Sequence, residues 1–566
     1  MNTLPVYFAM VMAAWAALTL VLGGAGLAVR RWLTRQPPDA AELLFLPWLG
    51  WAALVVWLQL WHLVWRVNAG ALVPMAALGV WGLAANRREI VALLRGRWRS
   101  ALGFLALLFL AAAWLANHTI NQPKSYDSGF YHIAGISWAC QYPIVPGLGN
   151  LFSRLAFNNS SFLCAALLDH GPFVLRSHHL ATGLLILWLM ARGLLAVRRL
   201  AWAPAPGRAE WLHALILVVV VIWTVNGDGA SSPSPDAVVY LLGLALGARL
   251  FERLAAGTVA VRGEEVRFEL AAVALLAAVG MTVKLSFLAL GLSAVALSWV
   301  WAWRHGATWR ALGVPAVAGA AALLPWMVRG MILSGYPVFP LNFAPWSVEW
   351  RMPVGLLRAE ADWIRAWARL PHVPPAQVLG SWRWVWPWFT TLTRMYLWDV
   401  MTPLALAVAA GWLLWRAPGA QRRAATGLGL FCLMPLSGLL FCLATAPNPR
   451  FAGAAFWLLG LGVLAAWLGT QPVPAARSVV LLLAAVLFAR DVNVVEFLRP
   501  WRRDPGPVPQ PLCKVMTTES GLDVFVPQQG DQLWAAPLPA TPYFNRGLRL
   551  RRAGDLSRGF TFQPPR

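Results

Sequence analysis

The chain has few charged residues for its length. Only 12% of its 566 residues are Asp, Glu, Lys or Arg, about half of the roughly 25% that is typical of soluble domains. Hydrophobic residues make up 59% of the chain, and 35 residues are tryptophan. Because no soluble fold of this length could cover so much apolar surface, the composition excludes a soluble enzyme.

Lysine and cysteine are also scarce. The formal net charge is +23, yet the only lysines are Lys124, Lys284 and Lys514, so nearly all of the positive charge is arginine. The arginines stand between apolar runs, which favours a membrane surface over a nucleic acid as their partner. The five cysteines show no CxxC or Cys/His spacing, so neither a zinc site nor a disulfide framework is predicted.

Familiar catalytic motifs are missing. The sequence contains no GxxxxGK[ST] loop, no HExxH, no GxSxG and no DxD pair of the kind that binds the metal of a nucleotide sugar. Gly23, Gly24 and Gly26 lack the third glycine and the strand of a dinucleotide-binding loop. We expect these glycines to let helices approach closely.

Long apolar runs dominate what is present. A helix needs about 20 apolar residues to cross roughly 30 Å of hydrocarbon. The fold class predicted from these runs is an all-α polytopic membrane protein with about 12–14 transmembrane helices. We predict about fourteen spans, near residues 5–29, 43–65, 70–85, 101–117, 178–197, 211–226, 237–250, 268–283, 286–303, 311–333, 396–415, 424–445, 451–470 and 477–490.

The arginines predict the orientation of these spans. Clusters such as Arg30/Arg31/Arg35 and Arg416/Arg422/Arg423 fall in short connections at every second turn of the chain. The positive-inside rule makes these connections cytoplasmic, with the amino terminus and the tail from about residue 491 outside. Since an arginine-rich, lysine-poor chain is typical of a GC-rich bacterium, we expect a multi-pass protein of the bacterial inner membrane with both termini on the periplasmic side.

The polar segments all fall on this outer side. They include two long loops. The loop 118–177 is aromatic-rich and amphipathic and is expected to lie at the headgroup level. The loop 335–395 contains tryptophans and short amphipathic stretches, and its length is typical of a functional lid or binding segment. The tail, 491–566, is polar and proline-rich, and its alternating stretches LDVFV and LRLRR predict a small β-containing outer appendage.

Asp127, in the first long loop, allows two interpretations. It stands just before a helix predicted from about residue 129, where its carboxylate would accept backbone N–H bonds as a cap. Alternatively, it is a general base at the membrane surface. His132, five residues on, is either an interfacial hydrogen-bonding group or a ligand. Lys124 and Arg154 are expected to bind lipid phosphate.

Three cations lie at the predicted outer boundary of the membrane. Lys284 stands between two apolar runs, and Arg329 and Arg450 lie at similar depths on the same side. A cation beside hydrocarbon either snorkels to the headgroups or belongs to a functional site. Asp236 ends a turn-rich loop, where it is expected to cap the loop and start the next helix. Beside Asp127, these cations predict a site for a phosphate-linked lipid.

Several strings in the outer loops resemble a bacterial multi-pass membrane family related to the GT-C glycosyltransferases. The strings are YDSGFYH, IVPGLGNLFSRLAFNNSSF, SSPSPD, TVKLS, RGMILSGYPVFP and PNPRF. The first is fairly specific, whereas the others are short. The resemblance covers about residues 100–470, and the tail string GDQLWAAPLPATPYF belongs with it.

This resemblance implies a transferase that moves a sugar from a polyprenyl-phosphate-type lipid donor to an envelope glycan or glycolipid acceptor at the outer face. Asp127 would be the base or a metal ligand, with His132 hydrogen-bonding nearby. The resemblance establishes no cofactor; it is compatible with a divalent cation, and metal dependence stays open. The residues implied in substrate binding are Lys124, Tyr131, Asn150, Arg154, Asn158, Asp236, Lys284, Arg329, Tyr336 and Arg450.

The resemblance also divides the chain into three parts. They are N-terminal accessory transmembrane helices at 1–99, a GT-C-like core at 100–490 and a periplasmic tail or cap at 491–566. If the core begins near residue 101, the span 311–333 is its seventh, and 335–395 falls where the family places its donor-binding loop. The sequence departs from the family by its three preceding spans and by the lack of a second acid beside Asp127.

Two other functions remain open on the sequence. A polymerase or ligase of lipid-linked oligosaccharides would use the same outer features but transfer a whole glycan. A polysaccharide or lipid transporter would usually place ionisable residues near the bilayer midplane, whereas acidic residues are nearly absent from the predicted spans. The expected partners are a lipid-linked sugar donor, a glycan or glycolipid acceptor and membrane lipids, and no nucleic acid.

Overall fold

The computed structural model describes residues 4–95, 98–255, 262–419, 421, 425, 427–499 and 505–562. Most of these residues are α-helical. The helices are α1 (Leu4–Leu33), α2 (Ala40–His62), α3 (Leu72–Ala85), α4 (Arg87–Leu94), α5 (Trp98–Thr119), α6 (Ile133–Gln141), α7 (Leu148–Leu151), α8 (Ser161–Leu168), α9 (Ala181–Trp202), α10 (Arg208–Asn226), α11 (Pro235–Ala255), α12 (Gly263–Val283), α13 (Leu288–Arg304), α14 (Gly313–Ser334), α15 (Val354–Arg369), α16 (Pro375–Val378), α17 (Val385–Met395), α18 (Thr402–Arg416), α19 (Leu428–Thr445), α20 (Ala455–Leu468), α21 (Val473–Asp491) and α22 (Val494–Phe497).

The described helices fit a protein that crosses the membrane many times. Eleven are long and apolar enough to span it, or 12 if α3 and α4, bent by 61° at their junction, form one span. The predicted all-α polytopic class is therefore confirmed, with fewer qualifying helices than the fourteen apolar runs. The two remaining runs form α11, which carries charges at both ends, and α20, whose 14 residues extend only about 21 Å.

The first three helices pack through glycine. A Cβ at Gly24 of α1 would lie 2.2 Å from the carbonyl oxygen of Gly79 in α3, and one at Gly50 of α2 would lie 1.8 Å from that of Leu22 in α1. Both distances are too short for any side chain, so these backbones touch only because the Cβ is absent. The predicted packing role of the α1 glycines is confirmed at Gly24.

Arginines meet acidic residues at one end of the helix bundle. Arg192 of α9 pairs with Glu210 of α10 at 2.8 Å, and Arg249 of α11 pairs with Glu269 of α12 at 2.7 Å. A polar cavity of about 410 Å³ lies among these helix ends. The arginine pattern predicts that this end is cytoplasmic, but it gives no indication that these arginines are paired inside the bundle.

The tail and the first long loop lie together at the other end. Strands β1 (Cys513–Thr517) and β2 (Asp523–Pro527) pair antiparallel, as do β3 (Leu548–Leu550) and β4 (Phe560–Phe562). The stretches LDVFV and LRLRR contribute to β2 and β3. The Leu533 N–H donates to the Gly129 oxygen at 2.7 Å, and the Phe560 N–H donates to the Pro146 oxygen at 2.9 Å. The tail therefore covers part of the 118–177 segment.

The second long loop contains α15, α16 and α17. Large apolar side chains project from it, with Trp382 82% exposed and Trp386 71% exposed. The loop is joined to the tail, because Arg551 Nε lies 2.6 Å from Glu349 Oε1. This arrangement places the loop at the same end of the bundle as the first loop and the tail.

Candidate functional site

Asp127 lies directly before a π-helical turn, Ser128–His132, which leads into α6. Such turns occur frequently at functional sites. The Asp127 side chain makes no capping hydrogen bond to this turn. The sequence allows Asp127 to be a helix cap or a general base. The structure does not show the helix cap.

The Asp127 carboxylate instead faces two arginines. Its Oδ2 lies 3.3 Å from Arg450 Nη1, and its Oδ1 lies 3.9 Å from Arg154 Nη1. Arg154 is in the short helical turn Ser153–Phe157, and Arg450 is in Pro449–Ala452, far along the chain. The Asp127 side chain is only 12% exposed, so attraction to these cations is stronger than it would be in bulk water.

Arg154 contacts a second carboxylate that the sequence did not single out. Its Nε lies 3.4 Å from Glu360 Oε1 on α15, and Ser153 Oγ donates to Glu360 Oε2 at 2.7 Å. The Arg154 guanidinium also lies 5.0 Å from the centre of the Phe130 ring, a cation–π distance. The only sequence signal for Glu360 was its place in the amphipathic 335–395 loop.

Lys284 and Asp236 form another pair. Lys284 Nζ donates to Asp236 Oδ1, and it also lies 4.4 Å from the centre of the Phe451 ring. Asp236 acts electrostatically on Arg450 together with Asp127. One group of charges is therefore formed by the first loop, the start of α11, the residue that follows α12 and the turn before α20.

We call Asp127, Arg154, Asp236, Lys284, Glu360 and Arg450 the outer cluster. It contains three carboxylates and three cations, so its formal charges sum to zero. Proton transfer to any one of its carboxylates would leave the outer cluster with a net positive charge. This response is suited to a reaction in which negative charge develops on a bound group.

His132 lies beside the outer cluster and is 1% exposed. Burial lowers its pKa to about 4, with the charges of Asp127 and Asp236 acting in the opposite direction. Its Nδ1 is 3.5 Å from Ser128 Oγ, which in turn lies 2.6 Å from Ser232 Oγ. His132 is therefore neutral at pH 7 and able to donate one hydrogen bond and accept another. Burial also favours the neutral form of Tyr131, and it therefore raises the pKa of that phenol.

The other predicted binding residues lie outside the outer cluster. Tyr336 is buried and its hydroxyl donates to the Met352 oxygen at 3.0 Å, while Asn150 Nδ2 donates to the oxygens of Trp350 and Phe560. These bonds join loops and tail. Lys124 is exposed. Arg329 and Asn158 are together in a different pocket, where Arg329 Nε donates to Asn158 Oδ1 at 3.1 Å.

The tail covers the Asp127 turn from one side. The Tyr126 hydroxyl donates to Asp531 Oδ2. The pKa of Tyr126 is raised to about 12, mainly by burial and next by this hydrogen bond. A Cβ at Gly129 would lie 2.2 Å from Gln532 and 2.4 Å from the Trp534 ring. The string GDQLWAAPLPATPYF, singled out in the sequence, thus supplies the residues that contact YDSGFYH.

Among the described residues, no three His, Cys, Asp or Glu side chains are grouped so that they could hold a metal ion. The charges of Asp127 and Asp236 both act on His132. Each of these two carboxylates forms an ion pair with a cation.

The family of the chain is shown by its sequence. A family described as a domain of unknown function, DUF8201, matches residues 9–457. The match covers most of the chain, including α1 to α3 and both long loops, so the chain belongs to this family. No curated protein and no solved structure matches the chain.

Proposed function

We propose that this member of the DUF8201 family is a GT-C-like membrane glycosyltransferase of the bacterial inner membrane. It would move a sugar from a polyprenyl-phosphate-type lipid to an envelope glycan or glycolipid at the periplasmic face. The observation that carries the proposal is the convergence of Asp127 with Arg154, Lys284 and Arg450. These residues come from separate loops, and the sequence alone predicts each of them as a site residue.

In the proposed reaction, Asp127 takes the proton of an acceptor hydroxyl. The acceptor oxygen bonds to the anomeric carbon while the bond from that carbon to the phosphate oxygen breaks, and the phosphate leaves with the electron pair. Protonation of Asp127 removes the counter-charge of Arg450 as negative charge grows on the phosphate. Arg450 and Lys284 would then stabilise the leaving group. Direct displacement inverts the anomeric centre.

The proposal is tested in cells that lack the protein. Lipid-linked glycans are analysed by mass spectrometry after adding back wild type, Asp127→Asn or the control Asp362→Asn, which alters an exposed carboxylate of α15. We expect an acceptor one sugar short in the deletion strain, rescued by wild type and Asp362→Asn. Asp127→Asn should lower turnover by about two to four orders of magnitude. Full activity of Asp127→Asn would rule out the base.

A transporter is the second candidate, favoured by the charged cavity at the opposite end of the bundle. The partly buried Glu252 lines it, and the buried Glu269 adjoins it. Carboxylates carried by membrane helices often mark the pathway of a transported ion or substrate. A complete glycan that accumulates undelivered in the deletion strain, and is exported equally by wild type and Asp127→Asn, would support transport. A ladder of products would instead indicate a polymerase.

A further inference from the structure

The string IVPGLGNLFSRLAFNNSSF contains three consecutive polar residues to which the proposed reaction gives no role. We call these residues, Asn158, Asn159 and Ser160, the NNS segment. The segment directly follows the turn that carries Arg154, and all three of its residues are buried. Because burying a polar side chain is costly unless it is hydrogen-bonded, the partners of these residues indicate what the segment holds together.

Asn158 fastens the Arg154 turn to α14. Its Nδ2 donates to the Trp326 oxygen at 2.7 Å, and Trp326 Nε1 donates back to the Asn158 oxygen at 2.9 Å. Its Oδ1 accepts from Arg329 Nε at 3.1 Å. The Asn158 backbone has a φ of 55°, a left-handed conformation in which asparagine is enriched. The Arg154 turn therefore ends at a fixed point on a spanning helix.

Asn159 and Ser160 fasten the same segment to the end of α12. Asn159 Nδ2 donates to the Val283 oxygen at 2.9 Å. The Ser160 N–H donates to the Thr282 oxygen at 3.1 Å, and the two hydroxyl oxygens are 2.8 Å apart. Val283 is the last residue of α12, and Lys284 follows it with an extended backbone. These bonds therefore fix the point from which Lys284 projects.

The NNS segment thus joins two cations that pair with different carboxylates. Arg154 lies 3.9 Å from Asp127, whereas Lys284 pairs with Asp236. Arg450 interacts with both of these carboxylates, so three cations alternate with two anions. When Asp127 becomes neutral, the repulsion among the cations increases. The cations then keep their places only if the backbone that carries them is held.

We propose that the NNS segment consists of positioning residues, which hold Arg154 and Lys284 in place while the charge on Asp127 changes. The inference rests on the proposed function, because it concerns the same site, and it adds the residues that preorganise its cations. A cation that is already in position stabilises developing negative charge without a cost of reorganisation. The NNS segment acts through Arg154 and Lys284.

Lysine labelling tests this proposal without a sugar donor. The chain has only three lysines, and Lys124 and Lys514 are exposed references for Lys284. The full chain is placed in phosphatidylcholine nanodiscs, whose lipid has no amine, and treated with limiting N-hydroxysuccinimidyl acetate. Mass spectrometry then gives the acetylation rate of each lysine. In wild type, Lys284 is paired and 22% exposed, so it should react more slowly than both references.

Asn159→Ala removes the bond to the Val283 oxygen. We expect it to raise the rate of Lys284, relative to the references, by about two- to tenfold, the range that matches one lost hydrogen bond. Asn86→Ala is the matched control and should leave this relative rate unchanged. Asn86 is also buried and donates from Nδ2 to a backbone oxygen at 2.7 Å, but it lies between α3 and α4. Ser160→Ala, which removes only a hydroxyl, repeats the comparison with a smaller change.

A second substitution separates positioning from a purely structural role. Asp127→Asn imitates the neutral carboxyl of the proposed reaction. We expect Asp127→Asn to raise the relative rate of Lys284 more in the Asn159→Ala background than in the wild-type background, by about twofold or more. Sites that do not interact would show equal effects in the two backgrounds.

Two results would overturn the proposal. One is an equal relative rate of Lys284 in Asn159→Ala and Asn86→Ala, and the other is an equal effect of Asp127→Asn in both backgrounds. Full glycan synthesis by Asp127→Asn in cells would instead rule out the base of the transfer reaction and leave the labelling result intact. The two proposals therefore fail separately.

Discussion

At the scale of single residues, Asp127 is defined by its partners. Asp127 directly precedes a helical turn that it could cap, yet its carboxylate faces Arg450 and Arg154 instead. Both partners come from turns rather than from long helices. The geometry of the outer cluster therefore depends on how the loops pack, and a change in either turn would alter the surroundings of Asp127 without touching it.

His132 gives a pH prediction at the same scale. Its pKa falls from 6.5 to about 4 on folding because of burial, so the unfolded chain binds the extra proton first as the pH drops. The stability that the folded state gains from holding His132 neutral is fully present above about pH 6.5, and it is lost as the pH falls toward 4. At pH 5 the loss should be about 2 kcal/mol.

The measurement is the unfolding free energy at pH 8 and at pH 5. In His132→Gln, we expect the difference between the unfolding free energies at pH 8 and at pH 5 to be smaller than in wild type by about 2 kcal/mol. The control is His372→Asn, which changes an exposed histidine with positive φ, a conformation that asparagine tolerates. An unchanged pH difference in His132→Gln would show that His132 is not held neutral.

At the scale of elements, the second long loop presents an apolar face that no described element covers. In α17, Trp386 is 71% exposed and Phe389 is 49% exposed, while Thr391 lies on the opposite side of the helix. A short helix with one aromatic face and one polar face is typical of a segment that lies at the membrane surface.

This orientation can be tested with a photo-crosslinking amino acid in membranes. Placed at Trp386, it should yield lipid adducts by mass spectrometry, because the side chain faces the headgroup and acyl boundary. Placed at Thr391, one and a half turns along, it should yield none. Equal lipid adducts at both positions would contradict an interfacial α17.

The elements were largely predictable, whereas their termini were not. Apolar runs fixed where the spanning helices lie, because burial in hydrocarbon needs length and composition alone. The bend between α3 and α4 falls at Asn86, whose backbone leaves the helical region and whose Nδ2 donates to the Gly82 oxygen at 2.7 Å. Neither this bend nor the 14-residue length of α20 could be read from the apolar runs. The alternation in LDVFV and LRLRR indicated strands, but the contact of the tail with Gly129 joins distant segments and leaves no local pattern.

Only part of the candidate site was predictable from the sequence. Asp127, Lys284 and Arg450 stood out because charge is rare in this chain, and rarity is visible in a sequence. Glu360 did not stand out, because it lies among other charged residues of α15. That Arg329 belongs to a separate pocket could not be predicted, since depth in the membrane says nothing about position around the bundle.

At the scale of the whole molecule, buried ion pairs join the helices at the arginine-rich end. Glu269 is 1% exposed and contacts both Arg249 at 2.7 Å and Arg253 at 2.9 Å. Glu269→Gln would remove the counter-charge of Arg253 and the shortest ion pair of Arg249, which keeps only longer contacts to Glu42 and Glu252. We therefore expect stability to fall by roughly 3 kcal/mol.

Denaturant unfolding in detergent micelles measures this change. The control, Glu264→Gln, lies on the same helix and accepts one backbone hydrogen bond from Arg35 near the surface. It should alter stability by no more than about 0.5 kcal/mol. If Glu269→Gln were equally harmless, the network would not hold the bundle together.

The contact between the tail and the first loop also sets an order of events during biosynthesis. Tyr126 and Asp531 are 405 residues apart, and ribosomes add about 5–20 residues per second, so Asp531 is made roughly 20–80 s after Tyr126. Throughout that interval the Asp127 turn has no cover from the tail. The contacts of the tail with the Asp127 turn thus form only after the described helices have all been translated, so they are among the last contacts of the fold to be made.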